Sequence, residues 1–587
     1  MTNIDGHQGS LLERAKGAFV GAAVGDALGW PCEGRATFTP TEGSRQQLRY
    51  VAWEKKSGGR FNPHLEYIGK GEFSDDTQLI LAVARSITLN PEWWRHFATA
   101  ELPVWTIYER GGGGATKRAA TAWAAGAAPW KTRKQEDLDR YFDAGGNGVA
   151  MRVLPHCVRH ARSPLFKDVA SDIVTDGVTT HGHPRALVGA LAYGFACWHA
   201  LRRSGTLSYG ELLQATIDNV EQWAELPDIT SRWPDWASTM SKASFSYEAR
   251  WEVVSSEMLE LLQIANREVN AGAVATVRAA LEKLGAYDRK SKGAGTVSAA
   301  AAVYIASRFA ASPVEGLSRA AFAIGTDTDT IASMTGAILG SVGGLDWLSQ
   351  FRRETQDINY IERLATEVAI GPLPTAASSI QHVRKTSLAR VLKLLDESPK
   401  DLSTLPNGME VETAETYLGP GSTASSNGPS FWKLATKDGL TLFVRGTSRP
   451  AKKNLANRDR AELEANKDSV VEAGFSVTAI GISLTVSDIQ RSRHFYEEIL
   501  GLKVTGQTST AVRIEHVIAL REGRESLFAP DSVRLFLNVS DVAECQRKLK
   551  AKGVRVRDVT QREKAKSFEC ADPDGYLLEI FERPQLN

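Results

Sequence analysis

Four glycines near the start of the chain recur at every fourth position: Gly17, Gly21, Gly25 and Gly29. In a helix this spacing stacks residues without side chains along one face, which lets a second helix approach very closely. The GxGxxG spacing of a dinucleotide-binding loop is absent, so the run is read as packing. The sequence around it agrees. From Leu11 to about Ile370 it is rich in Ala, Leu and Gly, with apolar residues at helical spacing in stretches such as 76–84 and 296–304. Strand-like alternation is scarce. The expectation is one large all-α domain over residues 11–370.

At 587 residues the chain is too long for one core, and its character changes past Ala376. Residues 376–475 read as a linker region. Within it, Ser387 to Leu395 forms a short amphipathic helix with Ser387 as candidate cap, Leu405 to Ser430 is linker, and 430–444 is a hairpin turning at Asp438 and Gly439. Residues 476–583 carry an internal repeat. Leu484-Thr485-Val486-Ser487-Asp488 is echoed by Leu537-Asn538-Val539-Ser540-Asp541, an offset of 53, and a helical stretch follows each. Strand, helix and further strands, twice over, make an α+β domain of two similar halves. The fold class is therefore multidomain.

Composition excludes more than it assigns. Formal net charge is +1, which gives no general electrostatic case for nucleic acid or an anionic membrane. Five scattered cysteines without a close pair fit a reducing cytosol and argue against a zinc ribbon or a disulfide framework. The first ten residues lack the basic start and apolar run of a signal peptide. The apolar stretch Gly17 to Trp30 is short and contains Asp26, so it does not span a membrane. A cytoplasmic location is expected.

The chemistry-bearing pattern is a pair of acidic clusters far apart in sequence. One runs Gly71-Glu72-Phe73-Ser74-Asp75-Asp76-Thr77, the other Gly325-Thr326-Asp327-Thr328-Asp329-Thr330, and both lead into apolar helical sequence. Each alone reads more naturally as a helix cap than as a metal site. Together they read differently. Carboxylates beside hydroxyls suit hard divalent cations such as Mg²⁺, and clusters that repel one another need a cation between them if they meet. Glu33 alone would be a surface carboxylate, Gly111 to Gly114 a flexible link, and His181 or His183 a core or capping histidine.

Several motifs occur in a particular order: Gly25-Asp26-Ala27-Leu28-Gly29 with Glu33, then Ser74-Asp75-Asp76-Thr77, Gly146-Asn147-Gly148-Val149-Ala150-Met151-Arg152, Thr180-His181, and Asp327-Thr328-Asp329-Thr330. From Leu11 to Leu348 the chain resembles the ADP-ribosylglycohydrolase family. The resemblance implies two Mg²⁺ ions held by Ser74, Asp75, Asp76, Asp327, Asp329 and Thr330, with Asp329 bridging. Ser74 stands where the family usually has Thr, which keeps the oxygen. Glu33 is implied as base or stabiliser beside a metal-activated water, with Asp75 and Asp329 completing the catalytic set and Asp26 supporting the metal ligands. Contacts to diphosphate and ribose are implied at Gly111, Gly112, Gly113, Gly146, Asn147 and Gly148, because glycine lets backbone amides approach a ligand. Met151 and Arg152 would buttress that loop, and His181 would lie close to the ligand. His183 is left as structural.

Residues 476–583 resemble the vicinal oxygen chelate superfamily, which includes glyoxalase I and bleomycin-resistance proteins. The resemblance rests on the repeat above, Ser492-Arg493-His494-Phe495-Tyr496, Leu500-Gly501-Leu502, and Asp572-Pro573-Asp574-Gly575 ending at Glu579. It implies paired βαβββ units. Metal-dependent members carry His seven residues before each Asp of the repeat, where this chain has Gly481 and Arg534. Glycine offers no ligand and arginine stays protonated. Glu579 then stands nearly alone and His516 is a stray candidate. A metal-free module is expected, binding a small molecule or protein or forming a homodimer.

The resemblance thus implies a Mg²⁺-dependent hydrolase releasing ADP-ribose from a protein, a small molecule or a nucleic-acid base. A non-catalytic ADP-ribose-binding protein and a hydrolase of another ribosyl N-glycoside are the alternatives.

Overall fold

The glycine face of the N-terminal helix, Ile4–Gly29, finds its partner in the helix Thr328–Gly343. The contact is backbone on backbone. A methyl group at Gly21 would stand 2.2 Å from the Gly336 carbonyl oxygen, and one at Gly25 would stand 2.1 Å from that of Ala332. Gly336 and Gly340 return the contact against Gly21 and Gly17. The Thr328 hydroxyl donates to the Gly29 carbonyl at 2.8 Å and locks the register at the end that carries the acidic residues.

The computed structural model describes residues 4–34, 48–57, 64–371 apart from 204, 206, 273 and 274, then 374, 380–417, 431–446, and most of 482–582. It falls into two compact units, residues 1–452 and 453–587. The first is largely helical. Buried helices Pro184–Arg202 and Gly295–Arg308 pack on the N-terminal pair, and their small residues, among them Gly189, Ala299 and Ala302, allow close approach. One antiparallel hairpin interrupts the helices, β1 Trp53–Ser57 with β2 His64–Ile68. Alternating sequence is scarce in this region, yet Trp53, Lys55, Glu66 and Ile68 all turn inward.

The middle region departs from the linker reading. A helix spans Lys385–Glu397 and buries Leu388, Val391 and Leu395 on one face. Ser387 is not its cap. That apolar stripe sets the helix start before Ser387, and Arg384 occupies the cap position without a side-chain bond. The hairpin forms from β4, Phe431–Thr436, and β5, Thr441–Arg445. Its turn has Gly439 at φ +92°, and the Thr436 hydroxyl accepts the Leu440 amide at 2.9 Å. Within the stretch read as linker, β3, Val411–Thr416, adds to β4 and completes a three-stranded sheet. Leu405, Met409, Val411, Leu434, Leu442 and Val444 of this region join the core of the helical unit.

In the second unit, two four-stranded sheets have the same internal order. β6, Ile482–Val486, pairs parallel with β9, Ile518–Glu522, followed by β8, Ala511–Ile514, and β7, Val504–Gln507. β10, Arg534–Asn538, pairs parallel with β13, Leu577–Glu582, followed by β12, Ala565–Ala571, and β11, Thr560–Arg562. The repeated Asp caps a helix in each half: Asp488 accepts amides of Gln490 and Arg491, and Asp541 that of Glu544. Leu484, Phe495, Leu535, Phe568 and Ile580 share one apolar core. Gly481, Ser487, Gly501, His516, Ser540, Asp574 and Gly575 lie outside the described residues.

Candidate metal centre

The close pairing of the two glycine-faced helices brings three separate chain segments to one place. The N-terminal helix ends in a short turn, Trp30–Cys32, whose next residue is Glu33. The helix Thr328–Gly343 begins with Asp327 at its cap position and Asp329 in its first turn. Glu33, Asp327 and Asp329 each offer a carboxylate oxygen within 4.8 Å of the others.

The first acidic cluster joins them. Ser74 caps the helix Asp75–Leu89 by accepting the Asp76 amide at 3.3 Å, so the capping reading holds locally. The Thr330 hydroxyl reaches Asp76 Oδ2 at 3.3 Å, across 254 residues of sequence. Asp76 Oδ1 is buried without a hydrogen-bond partner. A buried carboxylate oxygen with no donor is costly, and a cation is a suitable partner for it.

Electrostatics point the same way. Burial pushes the Asp75, Asp76 and Asp329 carboxyls well above the ordinary carboxylate range. Neighbouring carboxylates add to this: Glu109, Asp26 and Glu33 for Asp75, then Asp26, Asp75 and Asp327 for Asp76, and Glu33, Asp327 and Asp76 for Asp329. Hard oxygen donors gathered at mutual repulsion fit a divalent cation of the Mg²⁺ type.

Asp26 lies beneath the cluster, fully buried in the N-terminal helix, and accepts the backbone amides of Ser74 and Thr77. It therefore orients the helix start that carries Asp75 and Asp76, in keeping with a supporting role.

The glycine loops differ in what they offer. Gly111 has φ +116°, and a methyl group there would stand 2.9 Å from Asp75 Oδ1. The Gly112 amide donates to Glu109 Oε2 at 3.0 Å, so unlike the expectation it is already engaged. Gly113 and Gly114 open the helix Gly114–Ala125. The second loop is fastened across the domain, since the Asn147 amide donates to the Gly293 carbonyl at 3.0 Å. Asn147 Nδ2 donates to Asp327 Oδ2 at 2.9 Å and to Ser298 at 3.0 Å, so the side chain orients a candidate metal ligand. Met151 is buried beneath the loop. Arg152 holds it through the Gly148 carbonyl at 2.6 Å and pairs with buried Asp176.

His181 stands against this loop, where a methyl group at Gly148 would meet its Cε1 at 2.9 Å. Its Nδ1 contacts the Thr180 hydroxyl at 2.8 Å, and that oxygen also accepts from Arg152. Burial lowers the imidazole pKa to about 3, helped by Arg152 and Arg118, so the ring is neutral. His183 accepts the Arg185 amide as a helix cap, a structural role.

The ADP-ribosylglycohydrolase family model matches residues 7–377, more than half of the chain. The chain belongs to that family. Residues 477–580 match the glyoxalase/bleomycin resistance protein/dioxygenase superfamily. A curated relative, the ADP-ribosyl-[dinitrogen reductase] glycohydrolase of Rhodospirillum rubrum, is 28% identical over 210 residues, 33% of this chain and 60% of the relative. A candidate ADP-ribosyl glycohydrolase of Acanthamoeba polyphaga mimivirus is 26% identical over 34% of this chain and 60% of its own length. The chain thus spans about 60% of the length of these curated relatives. A solved structure described as an ADP-ribosylglycohydrolase-related protein complex covers 62% of this chain and 98% of itself at 22% identity, with a TM-score of 0.38. Among the described residues no helix is long and apolar enough to cross a membrane.

Three features of the site were not apparent in the sequence. Asn147 bonds Asp327, Thr77 donates to Asp26, and Arg110 lies buried beside Asp75. Thr77 sits within a quoted motif; Arg110 precedes the glycine run and carried no signal of its own.

Proposed function

We propose that this chain is a Mg²⁺-dependent hydrolase that cleaves the glycosidic bond between ADP-ribose and a modified acceptor. The observation that carries the reading is the meeting of Glu33, Asp327 and Asp329 with Asp76, whose buried Oδ1 has no hydrogen-bond donor. Ser74, Asp75, Asp76, Asp327, Asp329 and Thr330 would hold two ions. Bound there, Mg²⁺ would orient ribose hydroxyls and lower the pKa of a bound water.

The chain's own residues supply the rest. Cleavage at the anomeric carbon builds oxocarbenium-like charge, which the surrounding carboxylates stabilise. Glu33 lies within reach of the cluster at its more open side and is the candidate base for the attacking water. Asp75 and Asp329 share in holding the reacting centre. Gly111, Gly113, Gly146 and Gly148 line the approach for the diphosphate, where the lack of side chains lets backbone come close. Neutral His181, with Nδ1 engaged by the Thr180 hydroxyl, can donate its other ring nitrogen's N–H to a ribose or phosphate oxygen. Gly112 and Asn147 shape the loops, and Met151 backs one of them from below.

The name of the Rhodospirillum rubrum relative favours an ADP-ribosylated protein as acceptor. The C-terminal unit is proposed to bind a small molecule, a protein or a second copy without metal.

The test separates a role for Glu33 in the chemistry from a role in binding. Glu33→Gln should retain ADP-ribose binding by calorimetry while release of ADP-ribose falls by about a hundredfold or more. Undiminished release would remove Glu33 from the reaction.

A further inference from the structure

Arg110 is 2% exposed and immediately precedes the glycine run at the metal centre. Its carbonyl accepts the Asp75 amide at 3.1 Å. Its guanidinium donates to Glu66 at 2.9 Å, to Glu72 at 2.6 Å and to the Tyr67 carbonyl at 3.0 Å, which fastens it to the β1–β2 hairpin and the turn after it. The same guanidinium lies over the Trp30 ring at 5.5 Å. Trp30 belongs to the turn that presents Glu33. One residue therefore touches the carriers of Glu33 and of Asp75.

The guanidinium is also covered by the middle sheet. Phe443 of β5 is 4.2 Å from the guanidinium carbon, and Tyr417, just past β3, packs on Phe443 with ring centroids 4.7 Å apart. The Tyr417 hydroxyl donates to Glu72 Oε1 at 2.8 Å, on the carboxylate that pairs with Arg110. Both residues lie beyond the 7–377 span of the family match. A planar cation held by three separate acceptors and an aromatic face keeps one orientation at low entropic cost, which suits a scaffold role.

We propose that Arg110 is a positioning residue for the metal centre, and that residues 411–417 and 431–445 complete that centre by clamping Arg110 through Phe443 and Tyr417. The inference rests on reading the acidic cluster as a metal site. Groups that orient metal ligands tune metal affinity at a distance.

The test uses the full chain and Mg²⁺ alone. Phe443→Leu removes the aromatic face while keeping an apolar side chain, and Tyr417→Phe removes only the hydroxyl that holds Glu72. Calorimetric Mg²⁺ affinity should weaken by about tenfold in Phe443→Leu and in the same direction in Tyr417→Phe. Turnover measured on an active substrate should return to the wild-type maximum at saturating Mg²⁺. Wild-type Mg²⁺ affinity in both folded variants would overturn the proposal and leave the metal-site reading intact. A turnover loss that Mg²⁺ does not rescue would also overturn it, since that marks general damage. Absence of Mg²⁺ binding by the wild-type protein would overturn both.

Discussion

The Asp26 carboxylate accepts the Thr77 hydroxyl at 2.6 Å and the Thr77 amide at 3.0 Å. The N-terminal helix thereby caps the helix that carries Asp75 and Asp76, in addition to Ser74 at its own cap position. Asp26→Asn replaces one acceptor oxygen by a donor that faces other donors. Stability should fall by about 1.5–3 kcal/mol, the range for a bond to a charged group. Mg²⁺ affinity should fall by about tenfold or more. Urea unfolding and calorimetry check both, and wild-type values in each would show that Asp26 does not organise the cluster.

Asp76 should give opposite outcomes with and without metal. Its carboxyl pKa is raised well above 3.8 in the fold by burial and by Asp26, Asp75 and Asp327. Above about 3.8 the unfolded chain ionises more readily than the fold, so this group lowers the metal-free protein's stability as pH rises toward the folded pKa. Asp76→Asn removes that cost. In EDTA at pH 8 it should melt above the wild type. With Mg²⁺ the wild type should gain melting temperature and the variant should not. Equal destabilisation in both conditions would contradict the assignment.

The acidic clusters were legible because each is a short hydroxyl–carboxylate run, a local pattern that survives without knowledge of the fold. Gly17 to Gly29 announced a close helix contact, but nothing in that run says that Gly336 and Gly340 are the partners, since helix pairing is set by distant residues. β3 was missed because Val411 to Thr416 is largely polar and exposed, and only its pairing to β4 makes it a strand. Arg110 was missed for a related reason. A buried arginine is recognised by its acceptors, and Glu66, Glu72 and Phe443 come from three separate segments. Ser387 looked like a cap from its residue type, whereas the apolar face of its helix fixed the start.

The helix contact itself has a direct test. Gly25→Ala puts a methyl group 2.1 Å from the Ala332 carbonyl oxygen, which the backbone must yield to accept. Overpacking of this kind costs about 1–3 kcal/mol. Because Asp26 is the next residue and Asp329 lies in the partner helix, Mg²⁺ affinity should weaken as well. Wild-type unfolding would mean that the two helices do not meet at this distance.

His181 makes a pH prediction. Burial depresses its pKa from 6.5 to about 3, so the fold binds no proton there while the unfolded chain does below about 6.5. The sign follows: stability is lost as pH falls from 6.5 toward 3. His181→Gln lacks this group and should show a shallower fall in melting temperature across that interval. An acid slope as steep as the wild type's would show that His181 protonates freely in the fold.

The measurement that tests the central claim most directly is release of free ADP-ribose from arginine-, serine- and nucleic-acid-linked substrates. It is made with Mg²⁺, with EDTA, and with the double variant Asp327→Asn plus Asp329→Asn. The account predicts release from at least one substrate that requires Mg²⁺ and disappears in the double variant. Release that persists in EDTA or in the double variant would contradict a metal-dependent hydrolase, and ADP-ribose binding without release from any substrate would favour a binding protein.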